Sequence, residues 1–256
     1  MSGHSKWANI KHQKMKEDYR RGQVFSKLTR QIMVAARQGG PDPESNFRLR
    51  LAIDKAREAN LPMDNIQRAI RKATGADSGE AYEEAIFEGY GPGGVAILVV
   101  AMTDNRNRTS SEMRHLFTRH GGSLAESGSV AWQFVPKGRL EVTPAPGPGA
   151  RIDEEKLFLD VAEAGGDDVR ALEGRDGFEV ICAPAALAHL REELTRRGYH
   201  CKEASLTMIP KTTISVQGSD AERVLRLVDA LENHDDVQEV HANFDIGDEV
   251  MEALQT

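Results

Sequence analysis

Between residues 24 and 74 the apolar positions recur at steps of three and four, the spacing of one helix face. Val24, Phe25, Leu28, Ile32 and Ala35 form the first series, and Gly39-Gly40 supplies its stop. Asp42-Pro43-Glu44 then reads as a cap, a first-turn proline and a first-turn acid for a second helix. That helix carries Leu49, Ile53 and Ala56 on one side and closes near "ANLP". Ile66, Ala69, Ile70 and Ala73 predict a short third helix ending at Gly75. The small and acidic "GADSGEAYEE" that follows reads as a linker.

From about residue 84 the period changes. "AIFEGY" and "VAILVVAMT" predict strands around "GPGG", a hairpin turn in which Gly91 and Gly94 are expected to need positive φ. Thr109 with Glu112 reads as the capping box of a helix through His120. "GSVAWQFVP" and "KTTISVQG" read as strands, Ser219 with Glu222 as the cap of a helix to about Glu232, and "DVQEVHANF" as a final strand. Between Pro136 and Leu206 lies a block complete in itself. It predicts strand (138–142), helix (153–164), strand (168–172), strand (178–182), helix (184–196) and strand (200–206), the β-α-β-β-α-β order of a ferredoxin-like unit. Within it "PAPGPG" at 144–149 reads as a turn-forming loop.

The expected fold class is therefore α+β: a small N-terminal helical domain followed by two α/β domains of ferredoxin-like type, one inserted in the other. The expected bounds are 1–78 for a basic arm plus helical domain, 79–135 with 207–256 for a discontinuous middle domain, and 136–206 for the insert.

Charge changes this picture more than composition does. The 256 residues are 39% hydrophobic and 29% charged, enough for packed cores. The longest apolar run, Val95 to Met102, is far short of a bilayer span, and no signal-like apolar region follows the basic start. A mitochondrial presequence fits the basic start poorly, because that segment contains acids and has no apolar face. Cys182 and Cys201 have neither disulfide-framework nor metal-ligand spacing. A soluble cytoplasmic protein with no membrane association is expected. The net charge of −7, however, divides into +8 over residues 1–78 and −15 over the remainder.

The first 21 residues, "MSGHSKWANIKHQKMKEDYRR", oppose six cations with only Glu17 and Asp18. Wound at helical pitch, those cations would point in nearly all directions, and only Trp7, Ile10 and Met15 offer apolar surface. The segment reads as an arm ordered by its partner. A cationic end on an anionic body points to a polyanion, for which nucleic acid is the best fit. For residues 42–78 the bland alternative, cations that merely solvate helix faces, stands level.

The sequence offers little to catalysis. "GYGPGG" matches G-x-G-x-x-G, but the β-rich "VAILVV" follows where a dinucleotide site needs a helix. His4 and His12 lie eight apart in the arm, without the setting of a metal site. Asp167-Asp168 and Asp235-Asp236 fall at turns and read as polar turn residues rather than acid/base pairs. No catalytic residue, no metal site and no cofactor is expected. In "TDNRNRTSSEMRHLFTRHGG", Arg106, Arg108, Arg114 and Arg119 follow a strand. Asn105, Asn107, Thr109 and Ser110 beside them suit phosphate binding at a helix N-terminus. Turn-shaping asparagines and arginines paired with local acids explain the segment equally well.

"GHSKWANIKHQK", "RLAIDKAREANLP", "FEGYGPGG", "TDNRNRT" and "GGSLAESGSVAWQF" together resemble the YebC/PmpR family, whose mitochondrial relative is the translational activator of cytochrome c oxidase. The resemblance spans the whole chain. It implies the helical domain and two α/β domains described above, and a role as a DNA-binding transcriptional regulator or as a ribosome-associated translation factor that helps synthesis through consecutive prolines. The expected nucleic-acid contacts are Lys6, Trp7, Lys11, His12, Lys14, Lys16, Arg20, Arg21, Lys27, Arg30, Arg106 and Arg108. Trp7 suits stacking on an unpaired base, which leans towards RNA, and suits a core anchor nearly as well. DNA, ribosomal RNA and the ribosome itself are the candidate partners, and the sequence leaves the oligomeric state open. The alternative of another class makes the α/β domains small-molecule sensors.

Overall fold

The computed structural model describes residues 17–75, 82–145, 151–172 and 176–245, with side chains from residue 22 onward. The chain divides into two compact units, Met1–Phe134 with Pro210–Thr256, and Val135–Ile209.

Three helices open the first unit: α1 (Glu17–Gly39), α2 (Phe47–Glu58) and α3 (Met63–Thr74). Their apolar stripes meet in one core containing Leu28, Ile32, Leu49, Ile53, Ile66 and Ala69. The first helix stops where Gly40 takes φ +90, a conformation that costs glycine little. The second begins later than Asp42-Pro43-Glu44 suggests. Its cap is Asn46, whose side-chain oxygen accepts from the Leu49 N–H at 3.0 Å. The Asn46 amide also donates to the Ala35 and Gly40 carbonyls, at 2.8 and 2.9 Å, and so closes the end of α1. Asp42 only organises the preceding turn, accepting from the Glu44 N–H. At "ANLP" Asn60 adopts φ 61, while Asn60 N and Leu61 N donate to Arg57 O and Ala56 O. That pair of bonds satisfies carbonyls at the end of α2.

The sheet of this unit has the order β3-β1-β2-β9, every neighbouring pair antiparallel. Its strands are β1 (Glu83–Tyr90), β2 (Ala96–Thr103), β3 (Ser123–Leu124) and β9 (Val237–Ala242). Helices α4 (Arg106–Arg119) and α7 (Gly218–Glu232) supply Met113, Phe117, Val224, Leu227 and Leu231 to its core. Because α1 also lies against β2, that strand is buried along nearly its whole length. A strand covered on both faces reads as an unbroken apolar run, which explains "VAILVVAMT".

The "GPGG" hairpin turn forms with a different division of labour among its glycines. Gly93 and Gly94 take φ +70 and +76, whereas Gly91 is extended. A Cβ on Gly91 would sit 3.0 Å from Ile97 Cδ1 and 3.5 Å from Leu227 Cδ2, so the position favours glycine through close packing. Three residues earlier, inside β1, buried Glu88 accepts N–H bonds from Gly128, Val130 and Ala131 at 2.7, 2.7 and 2.8 Å. Burial alone would raise its pKa; the three amides outweigh that and hold it below the ordinary value. This carboxylate joins two of the quoted motifs, "FEGYGPGG" and "GGSLAESGSVAWQF", into one structural device.

Four further local expectations are corrected. Helix α4 starts at Arg106 with Asn105 as its cap, because Thr109 lies a turn inside and turns its hydroxyl to the core. Helix α7 starts at Gly218 with no side-chain cap. In "GSVAWQFVP", Ala131–Gln133 is a 3-10 turn, and "KTTISVQG" contributes only the short β8 (Ile214–Ser215), paired in parallel with β10 (Phe244–Asp245).

The second unit contains β4 (Phe134–Thr143), α5 (Glu154–Glu163), β5 (Gly166–Ala171), β6 (Phe178–Cys182), α6 (Leu187–Arg196) and β7 (His200–Pro210). The sheet order β5-β6-β4-β7 puts the first and third strands at the centre, the ferredoxin-like arrangement expected of this element order. Leu140, Val142, Leu157, Val161, Val180, Leu187 and Leu190 are among its buried side chains. Asp153 caps α5, accepting from the Lys156 N–H at 3.1 Å.

Candidate nucleic-acid interface

Lys6, Trp7, Lys11, His12, Lys14 and Lys16 lie outside the described residues, and Arg20 and Arg21 are described only as backbone of α1. Four expected contacts can be placed in full. Lys27 Nζ donates to the Glu232 carbonyl at 2.7 Å. Arg30, one turn further along α1, donates to the Asp235 carbonyl, lies 3.7 Å from Asp236 Oδ1 and covers the Tyr82 ring at 5.4 Å. Both side chains thus hold α1 to the turn between α7 and β9.

Arg108 converges on the same turn. Its Nη2 lies 2.9 Å from Asp236 Oδ2 and 2.9 Å from Asp104 Oδ1. The Thr109 hydroxyl donates to Asp236 Oδ2 at 2.8 Å and lies 2.8 Å from Thr103 Oγ1, which accepts the Asn105 N–H. Asp236 is only 4% exposed, and its own backbone carbonyl accepts from Met102 N. Burial would raise its pKa, but Thr109, Arg108 and Arg30 together hold it below the ordinary carboxylate value. "TDNRNRT" is therefore built around a buried acid far away in sequence. Arg106, exposed at the first position of α4, has no ion pair among the described residues.

Glu112 and His234 adjoin this hub, and with Asp236 they offer three ligand atoms within 4.8 Å of one another. Each is committed internally. His234 Nε2 lies 2.9 Å from Glu112 Oε2, and His234 Nδ1 accepts from the Asp236 N–H. The cluster is accounted for by these bonds and needs no ion.

Other cations without ion pairs lie on α3. On α3, Arg68, Arg71 and Lys72 are exposed, and none forms an ion pair among the described residues. Arg68 and Lys72 stand at the mouth of a cleft of about 400 Å³ between α1 and α3, which also contains Phe25, Arg30, Asn65 and Tyr82. None of the α3 cations was singled out from sequence. Their i, i+3, i+4 grouping beside Ile66, Ala69 and Ala73 was legible as a polar helix face, but periodicity does not reveal whether acids meet that face.

Comparison with known proteins adds an independent result. Residues 5–76 match the family model described as the TACO1/YebC protein N-terminal domain, and residues 82–244 match the TACO1/YebC second and third domain. The chain is 56% identical to a protein of Carboxydothermus hydrogenoformans over 97% of this chain and all of that one. It is 54% identical to one of Pelotomaculum thermopropionicum with the same coverage. Both are named "probable transcriptional regulatory protein". A solved structure of a conserved hypothetical protein from Aquifex aeolicus is similar with TM-score 0.81 and 47% identity, covering 91% of this chain and 93% of that one. Among the described residues no helix is long and apolar enough to cross a membrane.

Proposed function

The chain belongs to the TACO1/YebC family, and from that premise we propose that it is a cytoplasmic, non-enzymatic regulator of gene expression that acts by binding nucleic acid. One observation carries the reading: α3 presents Arg68, Arg71 and Lys72 to solvent without acidic partners among the described residues, in the N-terminal third of the chain, which is net positive. On an acidic protein, unpaired cations gathered on one element are the footprint of a polyanion. The arm residues Lys6, Lys11, His12, Lys14, Lys16, Arg20 and Arg21 extend that footprint, with Trp7 as a stacking side chain and Arg106 as an additional phosphate contact. Lys27 and Arg30 serve it by holding the helical segment in place, and Arg108 by bracing the Asp236 turn to which Arg30 is held.

The −15 balance of residues 79–256 favours a confined polyanion such as ribosomal RNA over bare duplex DNA, because the acidic body is repelled where the cationic end is drawn in. Titration of the full chain against single-stranded RNA, duplex RNA and duplex DNA over a salt series tests the common part of the reading. Affinity should fall linearly with salt on log-log axes, by about 0.7–0.9 per phosphate neutralised. Absence of binding to all three at low salt would refute it. Crosslinking in cells, with bound RNA and DNA sequenced together, then decides between the nucleic acids.

A further inference from the structure

We infer that the cleft between α1 and α3 receives one unpaired nucleotide of a single strand, its base inside and its flanking phosphates on Arg68 and Lys72. The inference rests on the nucleic-acid reading and adds a position and a substrate form to it.

The cleft has the size of a small-molecule site, about 400 Å³. Its floor is apolar, made by Met33, Leu61 and Ala69, all buried. Phe25 and Tyr82 stand at its sides, half-buried and packed on the helical core. The Arg30 guanidinium is fixed against the Tyr82 ring at 5.4 Å and by the Asp235 carbonyl. Aromatic rings and a held guanidinium plane are the surfaces on which unpaired bases stack.

Two features exclude a purely apolar occupant. The Asn65 side-chain amide lines the cleft and has no hydrogen bond among the described residues, leaving a donor and an acceptor for a base edge. Arg68 and Lys72, one helical turn apart on α3, carry two unpaired positive charges at the mouth. An apolar slot, an amide and two cations match a base with its neighbouring phosphates. A paired base has its faces stacked and its edge occupied, so a duplex meets the cations without filling the slot.

The test uses the full chain with a fluorescent single strand of roughly 12 nucleotides, within the range such proteins cover, and with the duplex of the same sequence. Asn65→Ala leaves the charge unchanged and should weaken the single strand alone. Arg68→Ala with Lys72→Ala should weaken the single strand by roughly 5- to 150-fold, the span of a lost base contact, and the duplex by less. Arg71→Ala, on the same helix but outside the cleft, should weaken both strands alike. A single strand containing 5-iodouridine should crosslink to the peptide holding Phe25 or Tyr82.

If Asn65→Ala is silent and the double variant weakens both probes equally, α3 is only a charged surface and the pocket is refuted. A crosslink mapping away from both aromatic residues refutes it without relying on any variant. Wild-type binding to duplex alone overturns the inference while the proposed function stands. Binding to neither probe overturns both.

Discussion

Two groups of cations on the first unit look alike in sequence and differ in structure. Arg30 and Arg108, in helical and arginine-rich segments, both turn inward to the buried Asp236, directly or through its neighbour Asp235. Arg68, Arg71 and Lys72 face solvent with no ion pair among the described residues. A charge that already has a buried partner has little left to offer a ligand. A charge without one contributes its full field to whatever approaches. Counting lysines and arginines locates a basic region, but the acid in a turn distant in sequence decides which of them are available.

The difference implies unequal costs of substitution, and the largest falls on the acid. Asp236→Ala leaves the Thr109 hydroxyl, buried beside Thr103, without its acceptor and Arg108 without its main partner. Loss of a buried charge-assisted network of this kind costs about 3 kcal/mol. Urea unfolding should show that loss as a lower midpoint. A change of under about 1 kcal/mol would mean the hub is incidental, since ordinary surface substitutions stay near that scale.

Acidification should make the same cut more gently. Asp236 and Glu88 both ionise below their ordinary values, because donors outweigh burial in each case. The stability they contribute is therefore whole above the unfolded-chain carboxylate pKa of about 4 and is lost as pH falls through the lower folded values. The urea midpoint should hold near neutrality and decline on the acid side. Asp236→Asn and Glu88→Gln should each start lower and decline less. A variant curve parallel to wild type throughout would remove that carboxylate from the account.

Where side-chain spacing sets the structure, the sequence was legible. Three helices followed from the three-and-four steps of Leu28, Ile32, Leu49, Ile53, Ile66 and Ala69, all now in one core. The strand–helix order from 138 to 206 led directly to the ferredoxin-like sheet. Caps were harder. Asp42, Thr109 and Ser219 each had cap chemistry, yet Asn46 and Asn105 won two of those positions and α7 has no side-chain cap, because tertiary packing chooses where a first turn begins. The candidate site was the least legible part. Asp235-Asp236 read as turn polarity, and nothing local in "NHDDV" announces that Asp236 is buried against Thr109 and Arg108 from a segment more than a hundred residues earlier. Long-range pairing decides both burial and availability, and a period-based reading does not contain it.

The smallest effect on stability separates the two groups most cleanly. Arg68, Arg71 and Lys72 are exposed and unpaired among the described residues, so changing all three to alanine removes no internal bond. Alanine is also a better helix former than arginine or lysine. Each substitution should therefore stay within about ±0.5 kcal/mol. Binding should behave oppositely: if all three contact phosphates, the log-log salt slope becomes shallower by roughly 2–3. Arg108→Ala is the mirror experiment. Its half-exposed guanidinium gives up bonds to Asp236 and Asp104, at a cost of about 1 kcal/mol, while the salt slope stays at the wild-type value. Measured side by side, the triple variant should lose slope and keep stability, and Arg108→Ala should lose stability and keep slope. If the slope instead falls for Arg108→Ala and holds for the triple variant, the inward arginine leaves Asp236 to meet the ligand, and the outward cations of α3 only solvate their helix.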